Sequence, residues 1–493
     1  MSSHVDAFSP AHELLALLVA GEVSSVDLVE TYLRRIEQHN AALNAVITLD
    51  APRARREARE SDRRREESPD DVGPLHGLPI TVKDSYETAG MRTSCGREDL
   101  RHYIPTQDAE AVQRLRTAGA VIMGKSNMPP GNQDVQADNP LFGPSNNPWD
   151  TTRTSGGSAG GGAVATTAGL AAFDFASEIG GSTRIPSHFT GLYGHKATYR
   201  SVSLVGHISP GPGVRRWCEP DLACAGAQVR HARDLVPILR AATGTLVRDG
   251  GFSYTLSPPR ATELSSFRVA VWFEDEDCPV DSDVRGAMRK AVGSLRDAGA
   301  VVDTHPSAIP VTIAESHSAF QPLLFSQLGA DRSGMTPSFG ASMAARILQN
   351  PRGDAFRAFR GTVLSHYAWI EADALRQEIR ERWVKFFDHY DILLMPVSPT
   401  AAPPHHGKLI DRFGRHFEVD GRRRSYWDQM KWCGLANVAG SPATTIPTDH
   451  TSAGLPVGLQ AMGPAGGDLT TIEFAGLLGE RLAGYQRPPG FGQ

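Results

Sequence analysis

Gly156-Gly-Ser-Ala-Gly-Gly-Gly162, a run of small apolar residues to Ala172, and then Ser177-Glu-Ile-Gly-Gly-Ser-Thr-Arg184 decide how this chain reads. Two serines, Ser158 and Ser182, sit in glycine-rich turns 24 residues apart. Glycine is needed where backbone adopts positive φ or approaches a ligand closely, and glycines beside a serine let several N–H groups turn toward one point. Ile179 to Ser182 are therefore candidate donors to a developing oxyanion, and Glu178 with Arg184 are candidates to brace that turn through an ion pair. A flexible Gly/Ser linker is the bland alternative. The burial-grade run from Ala163 to Ala172 argues against it.

Upstream, Pro74, Gly77 and Pro79 frame a short strand, Ile80-Thr-Val82, which delivers Lys83 at its end. Helices are expected over residues 11–39, broken at Gly21 and restarted by a Ser24 cap with Asp27 three residues on. The arginines of 53–67 alternate with Glu57, Glu60, Asp62, Glu66 and Glu67, which reads as a solvated helix face. Helix over 108–118 then strand over 120–123, and strand 267–273, helix 283–298 and strand 300–302, alternate as in an α/β sheet.

Two motifs mislead. Gly119-Ala-Val-Ile-Met-Gly124-Lys125-Ser126 fits the phosphate-loop pattern, but its middle is an apolar strand, and Pro129 and Pro130 forbid the helix that should follow. Gly156-Gly-Ser-Ala-Gly160 fits the nucleophile elbow of a histidine-dependent hydrolase, but polar Trp149–Ser155 precedes it instead of an apolar strand. None of the 17 histidines stands in a telling context, His188 and His195 being nearest in sequence.

Ordinary apolar content (40%) and charge (21%) indicate a globular protein, and a net charge of −5 argues against a general nucleic-acid binder. Cys95, Cys218, Cys224, Cys278 and Cys433 are odd in number and lack metal spacing, which indicates reduced thiols in a cytoplasmic protein. No leader and no apolar span long enough for a membrane helix is visible.

These residues resemble the amidase signature family. The motif segments are Ser155–Gly161 and Glu178–Pro186, continuing through Gly191–Thr198, with Gly77–Asp84, Gly124–Met128 and Asn147–Asp150 also fitting. Asn437–Pro442 and Gly454–Gln460 look like the family's closing strands, while little aligns between 305 and 385. The resemblance implies one large α/β/α body with a mixed central sheet flanked by helices. An N-terminal helical segment (1–60) would pack on the signature domain (61–493), in which 250–390 is a less typical helical, substrate-side part. It implies Ser182 as the acyl-forming nucleophile, Ser158, after a cis peptide bond from Gly157, as the bridging serine, and Lys83 as the base. Backbone N–H groups of Ile179, Gly180, Gly181 and Ser182 would form the oxyanion hole, without metal or organic cofactor.

A lysine serves as a base only when neutral, so burial must lower its pKa from about 10.4 toward 7–8. Met128, Asn132, Gln133 and Gly157 are candidate substrate-binding residues. Phe320, Leu323, Leu324, Phe325, Phe339 and Trp369 supply apolar bulk that suits either core or pocket. The expected activity is hydrolysis of an apolar or aromatic carboxamide. Carbamate or ester hydrolysis by the same triad, a subunit of a tRNA-dependent amidotransferase, and a non-catalytic binding protein are the alternatives. The expected partner is a small-molecule amide or carbamate alone, with no nucleic acid and no membrane, taken up by a monomer or homodimer. Three departures from the family pattern, Ala159, Glu178 and His195 with Ala197, bear on the support of the site and the shape of the pocket.

Overall fold

The opening helices follow their local signals. α1 (Ala11–Ala20) stops at Gly21, which takes a left-handed φ of 70°. α2 (Ser25–Leu43) starts in a capping box in which the Ser24 side chain accepts from the Asp27 N–H at 3.0 Å, a cap worth about 1 kcal/mol. α3 (Ala51–Glu67) buries only Ala54 and Ala58. Its arginines pair with Glu57, Glu60 and, on α2, Glu30, as a solvated face requires. This computed structural model describes residues 6–209, 211–213, 217, 220–246, 252–305, 309–329, 337–407 and 411–491; Cys218 lies outside the described residues.

Eleven strands build one sheet. In chain order they are β1 (Val46–Leu49), β2 (Pro79–Lys83), β3 (Val121–Ser126), β4 (Asp174–Glu178), β5 (Tyr193–Lys196) and β6 (Cys224–Val229). β7 (Arg268–Val271), β8 (Val301–Asp303), β9 (Ile392–Pro396), β10 (Ala443–His450) and β11 (Pro456–Met462) complete it. The spatial order is β1-β3-β2-β4-β6-β5-β10-β11-β9-β7-β8. Pairing is parallel across β3-β2-β4 and β9-β7-β8 and antiparallel elsewhere. The sheet is therefore mixed. The first sixty residues are not wholly helical, because β-branched Val46-Ile-Thr-Leu49 pairs with β3 and closes one edge.

Helices cover the sheet and extend one end of the molecule: α4 (Glu110–Thr117), α5 (Gly160–Thr167), α6 (Arg184–Thr190), α7 (Leu235–Ala242) and α8 (Ser282–Asp297). α9 (Ile313–Gly329), α10 (Pro337–Gln349), α11 (Asp354–Thr362) and α12 (His366–His389) follow, then α13 (Lys431–Ala439) and α14 (Asp468–Gly479). One contiguous apolar core runs from Ala7 to Leu478 and takes in Phe320, Leu323 and Leu324 of α9. Trp369 packs against it half-buried.

The glycines opening α5 are there for contact, not flexibility. A Cβ on Gly162 would lie 2.0 Å from the Asp174 carboxylate, and one on Gly161 would lie 2.3 Å from the Asn127 backbone nitrogen. Three glycines weaken a helix by up to about 1 kcal/mol each. Here they let α5 lie directly on the ends of β2 and β4.

The same substitution should thus have opposite signs in two helices. Gly162→Ala drives a methyl into a fully buried carboxylate that Thr81 already holds at 2.7 Å, and should cost about 2–3 kcal/mol or more. Gly286→Ala in α8, where a Cβ meets nothing within 4 Å, should gain up to about 1 kcal/mol. Thermal unfolding midpoints of the two variants check both signs.

Candidate active site

β2 and β4 run parallel side by side, so their C-terminal ends open on the same edge of the sheet, the usual position for a site in such a fold. Lys83 is the last residue of β2 and is fully buried. Its Nζ donates to the Ser158 hydroxyl at 2.7 Å, to the Ser177 carbonyl at 3.0 Å and to the Ser177 hydroxyl at 3.3 Å. No carboxylate among the described residues forms an ion pair with it. Burial pushes its pKa down to about 7, opposed by the more distant Cys95, Asp174 and Glu178, so much of it is neutral at neutral pH.

Ser158 follows a cis Gly157–Ser158 peptide at the entry to α5. Its hydroxyl accepts from Lys83 and donates to the Asn132 side-chain oxygen at 3.1 Å. Gly157 presses against backbone, since a Cβ there would meet the Gln136 nitrogen at 2.5 Å. Ser182 lies in the turn between β4 and α6, and its carbonyl accepts from the Ala159 N–H at 3.0 Å. One hydrogen bond thus ties the two serine turns together. Lys83, Ser158 and Ser182 line a single cavity with Asn132, Ser177 and Ile179.

The Ser182 turn is organised from below by a carboxylate. Glu178 accepts the N–H of Gly181 at 3.2 Å, those of Thr183 and Arg184 at 3.3 Å, and the Arg184 guanidinium at 2.5 Å. Both side chains are fully buried. Arg184 also reaches the Cys433 carbonyl at 3.0 Å, Asn437 at 2.9 Å and the Gln460 side chain. Despite the extra methylene at position 178, the brace forms. The expectation of four oxyanion donors is corrected at one position. The Gly181 N–H is turned back onto Glu178, with Gly181 at φ 106°, whereas those of Ile179, Gly180 and Ser182 have no protein acceptor among the described residues.

Other expected site residues scatter. Met128 packs with Cys95, Leu100 and Ile208 in a small apolar cluster instead of facing the cavity. Gln133 bonds to the Leu328 carbonyl at 3.3 Å and lines a second chamber, which shares Leu328 with the first. Phe325, Phe339, Phe413 and Trp427 wall that chamber, with the Arg412 guanidinium 4.6 Å over the Phe339 ring. His195 bonds to Thr444 and Asp468 and does not line the cavity.

The two misleading motifs resolve in strand and side-chain contacts. Val121–Ser126 is a buried strand whose Lys125 donates to Thr88 at 2.8 Å, with no phosphate-binding loop. Among the described residues no histidine bonds to Ser158 or Ser182, and His188 is held by Thr400 and Gly458. Residues the sequence reading missed are Ser177, His207, Gln327 and Leu328, all lining the cavity. Ser177 alone carried a signal, as it immediately precedes the Glu178 brace.

The Amidase family profile matches residues 27–472. The A subunit of the glutamyl-tRNA(Gln) amidotransferase of Symbiobacterium thermophilum is 31% identical over 488 positions, covering 94% of this chain and 95% of that one. The protein of the same name from Cupriavidus necator is 30% identical, covering 99% and 100%. A solved structure described as an amidase superposes with a TM-score of 0.76 at 27% identity, covering 96% of this chain and 100% of that one.

These relatives overturn the expectation of a small-molecule partner alone, with no nucleic acid and a self-sufficient monomer or homodimer. They are subunits by name, of an enzyme named for a tRNA-bound substrate. Net charge could not exclude this, because one member of an assembly can serve an RNA-linked substrate without itself presenting a basic face. No helix among the described residues is long and apolar enough to cross a membrane. By the extent of the profile match and of the relatives' identity, the chain belongs to the amidase signature family, enzymes that act on C–N bonds.

Proposed function

We propose that this chain hydrolyses a carboxamide through a seryl acyl-enzyme on Ser182, and that it does so as the ammonia-releasing component of a tRNA-dependent amidotransferase. The observation that carries the chemistry is the 2.7 Å contact between the Ser158 hydroxyl and a buried lysine with no ion-pair partner among the described residues. Neutral Lys83 takes the Ser158 proton as Ser158 takes that of Ser182, and the Ser182 oxygen bonds to the amide carbon. The oxyanion forms against the N–H groups of Ile179, Gly180 and Ser182. Proton return through Ser158 releases the amine, and water then cleaves the ester by the reverse relay. The relatives' names support the assembly. An amidotransferase must draw its nitrogen from an amide, and this site supplies that step.

A second reading is hydrolysis of an aryl acylamide or carbamate. Ile179, Pro220, Ala223 and Leu328 give the cavity an apolar wall, and the aromatic chamber beyond Leu328 suits a ring. Ammonia release from glutamine, set against amine release from an acyl anilide and an aryl carbamate, separates the two. Turnover of glutamine at least tenfold above the anilide, with amide transfer to glutamyl-tRNA when partner proteins are added, supports the first. Anilide or carbamate turnover without glutamine turnover sinks it.

The triad itself makes two predictions. Ser182→Ala should lose the covalent acyl adduct seen by intact-protein mass spectrometry, and Lys83→Ala should lower kcat/KM by roughly 10³-fold or more. The active form of Lys83 is the neutral one and its pKa lies at about 7, so kcat/KM should rise with pH through about 7 and then level. A profile flat from pH 5.5 to 8.5 would remove Lys83 as the base.

A further inference from the structure

His207 is a buried histidine in the cavity wall that the mechanism above does not use. Its Nε2 lies 2.8 Å from the Ser177 hydroxyl, and its Nδ1 has no partner among the described residues. The imidazole is held edge-to-face by Tyr86, with ring centroids 5.0 Å apart, and Tyr86 is itself fixed by its hydroxyl bond to the Ala176 carbonyl at 3.0 Å. The plane of the imidazole is set by this contact.

The contact with Ser177 bears directly on the hydrogen bonds of Lys83. A neutral amine has two N–H donors and one lone pair, and Lys83 has three neighbours: the Ser158 hydroxyl, the Ser177 carbonyl and the Ser177 hydroxyl. The carbonyl can only accept, so it takes one N–H. The Ser177 hydroxyl can accept the second N–H, or it can donate to the lone pair and compete with Ser158 for it. A Ser177 proton committed to His207 leaves only the first choice. The lone pair of the neutral amine is then left for Ser158, whose hydroxyl accepts from the ammonium form and must turn its proton from Asn132 to Nζ when Lys83 acts as base.

We propose that His207 is a positioning residue for the base. By accepting the Ser177 proton at Nε2, it confines the Ser177 oxygen to accepting from Lys83 and reserves the Lys83 lone pair for the proton of Ser158. This rests on the reading of Lys83 as base. It requires the tautomer protonated at Nδ1, which leaves the Nε2 lone pair facing the Ser177 hydroxyl. It also requires a histidine that stays neutral. Burial, then Lys83 and Lys125, push the His207 pKa down to about 3, with Ser177 and Tyr86 its uncharged neighbours; Asp174, Glu178 and Cys95 act on the Lys83 side.

The test is the single-turnover acylation rate with a p-nitrophenyl ester, in wild type, Lys83→Ala, His207→Phe, Ser177→Ala and the Ser177→Ala/His207→Phe pair. His207→Phe keeps a ring against Tyr86 and should slow acylation roughly 10- to 100-fold, because the released Ser177 hydroxyl now blocks the lone pair. In the Ser177→Ala background that hydroxyl is absent, and His207→Phe should cost less than about twofold. His207→Gln, whose carbonyl can accept the same proton, should recover most of the rate. If His207→Phe does not fold, His207→Leu takes its place in the cycle. Equal losses in both backgrounds, or no recovery with Gln, would overturn the positioning role in favour of packing. Undiminished acylation in Lys83→Ala would overturn the base reading and this proposal together, whereas failure of the cycle alone leaves the base reading standing.

Discussion

The site depends on a carboxylate that touches no substrate. Glu178, at the end of β4, collects three backbone N–H groups and the Arg184 guanidinium inside the buried core. An unpaired buried carboxylate would be expensive, and Arg184 offsets that cost while Asn437, Cys433 and Gln460 satisfy the rest of the guanidinium. The turn from Ile179 to Thr183 is thereby held from inside, and the N–H groups of Ile179, Gly180 and Ser182 are left without a protein acceptor among the described residues. Three of Arg184's partners come from α13 and β11, and Met430 and Cys433 pack against Gly180 and Gly181, so the C-terminal third of the chain supports the turn from behind.

Lys83 follows the opposite logic. Glu178 is kept charged by a cation in contact with it, while burial brings Lys83 toward neutrality and no carboxylate among the described residues pairs with it to undo this. Asp174 lies close enough to oppose the shift yet is bonded to Thr81, and burial raises its own pKa to about 7. A carboxylate beside Lys83 would hold the ammonium form and remove the base. Two buried ionisable groups near one cavity thus perform different work because one has a partner and the other has only hydroxyls and a carbonyl.

Local signals carried much of this. Spacing placed Ser158 and Ser182 in turns at the ends of adjacent elements, the Pro/Gly frame placed Lys83 at a strand end, and Ser24 with Asp27 marked a helix start to the residue. These are short-range patterns, written within a few positions. The Gly181 N–H was misassigned because a glycine's freedom shows that a turn is possible without showing which way each amide faces. His207 and Leu328 were illegible for another reason: they lie 30 and 151 residues after Ser177, outside every motif segment, and nothing local distinguishes them from core. Met128 showed the converse error, since sequence proximity to the site did not put it in the wall.

That division separates chemistry from selectivity. The proposed proton path and oxyanion turn lie within residues 83–184, on strand ends and glycine turns where a single methyl finds no space. The outer wall comes from Leu328 on α9, from the aromatic residues of α9, α10 and the 413–427 stretch, and from Pro220 and Ala223. Helix-borne walls can exchange one apolar side chain for another of similar volume at modest cost, whereas the turns cannot. A chain built this way can keep one bond-breaking apparatus while its substrate changes. Kinship at about 30% identity therefore speaks more strongly to the reaction at Ser182 than to what sits beyond Leu328.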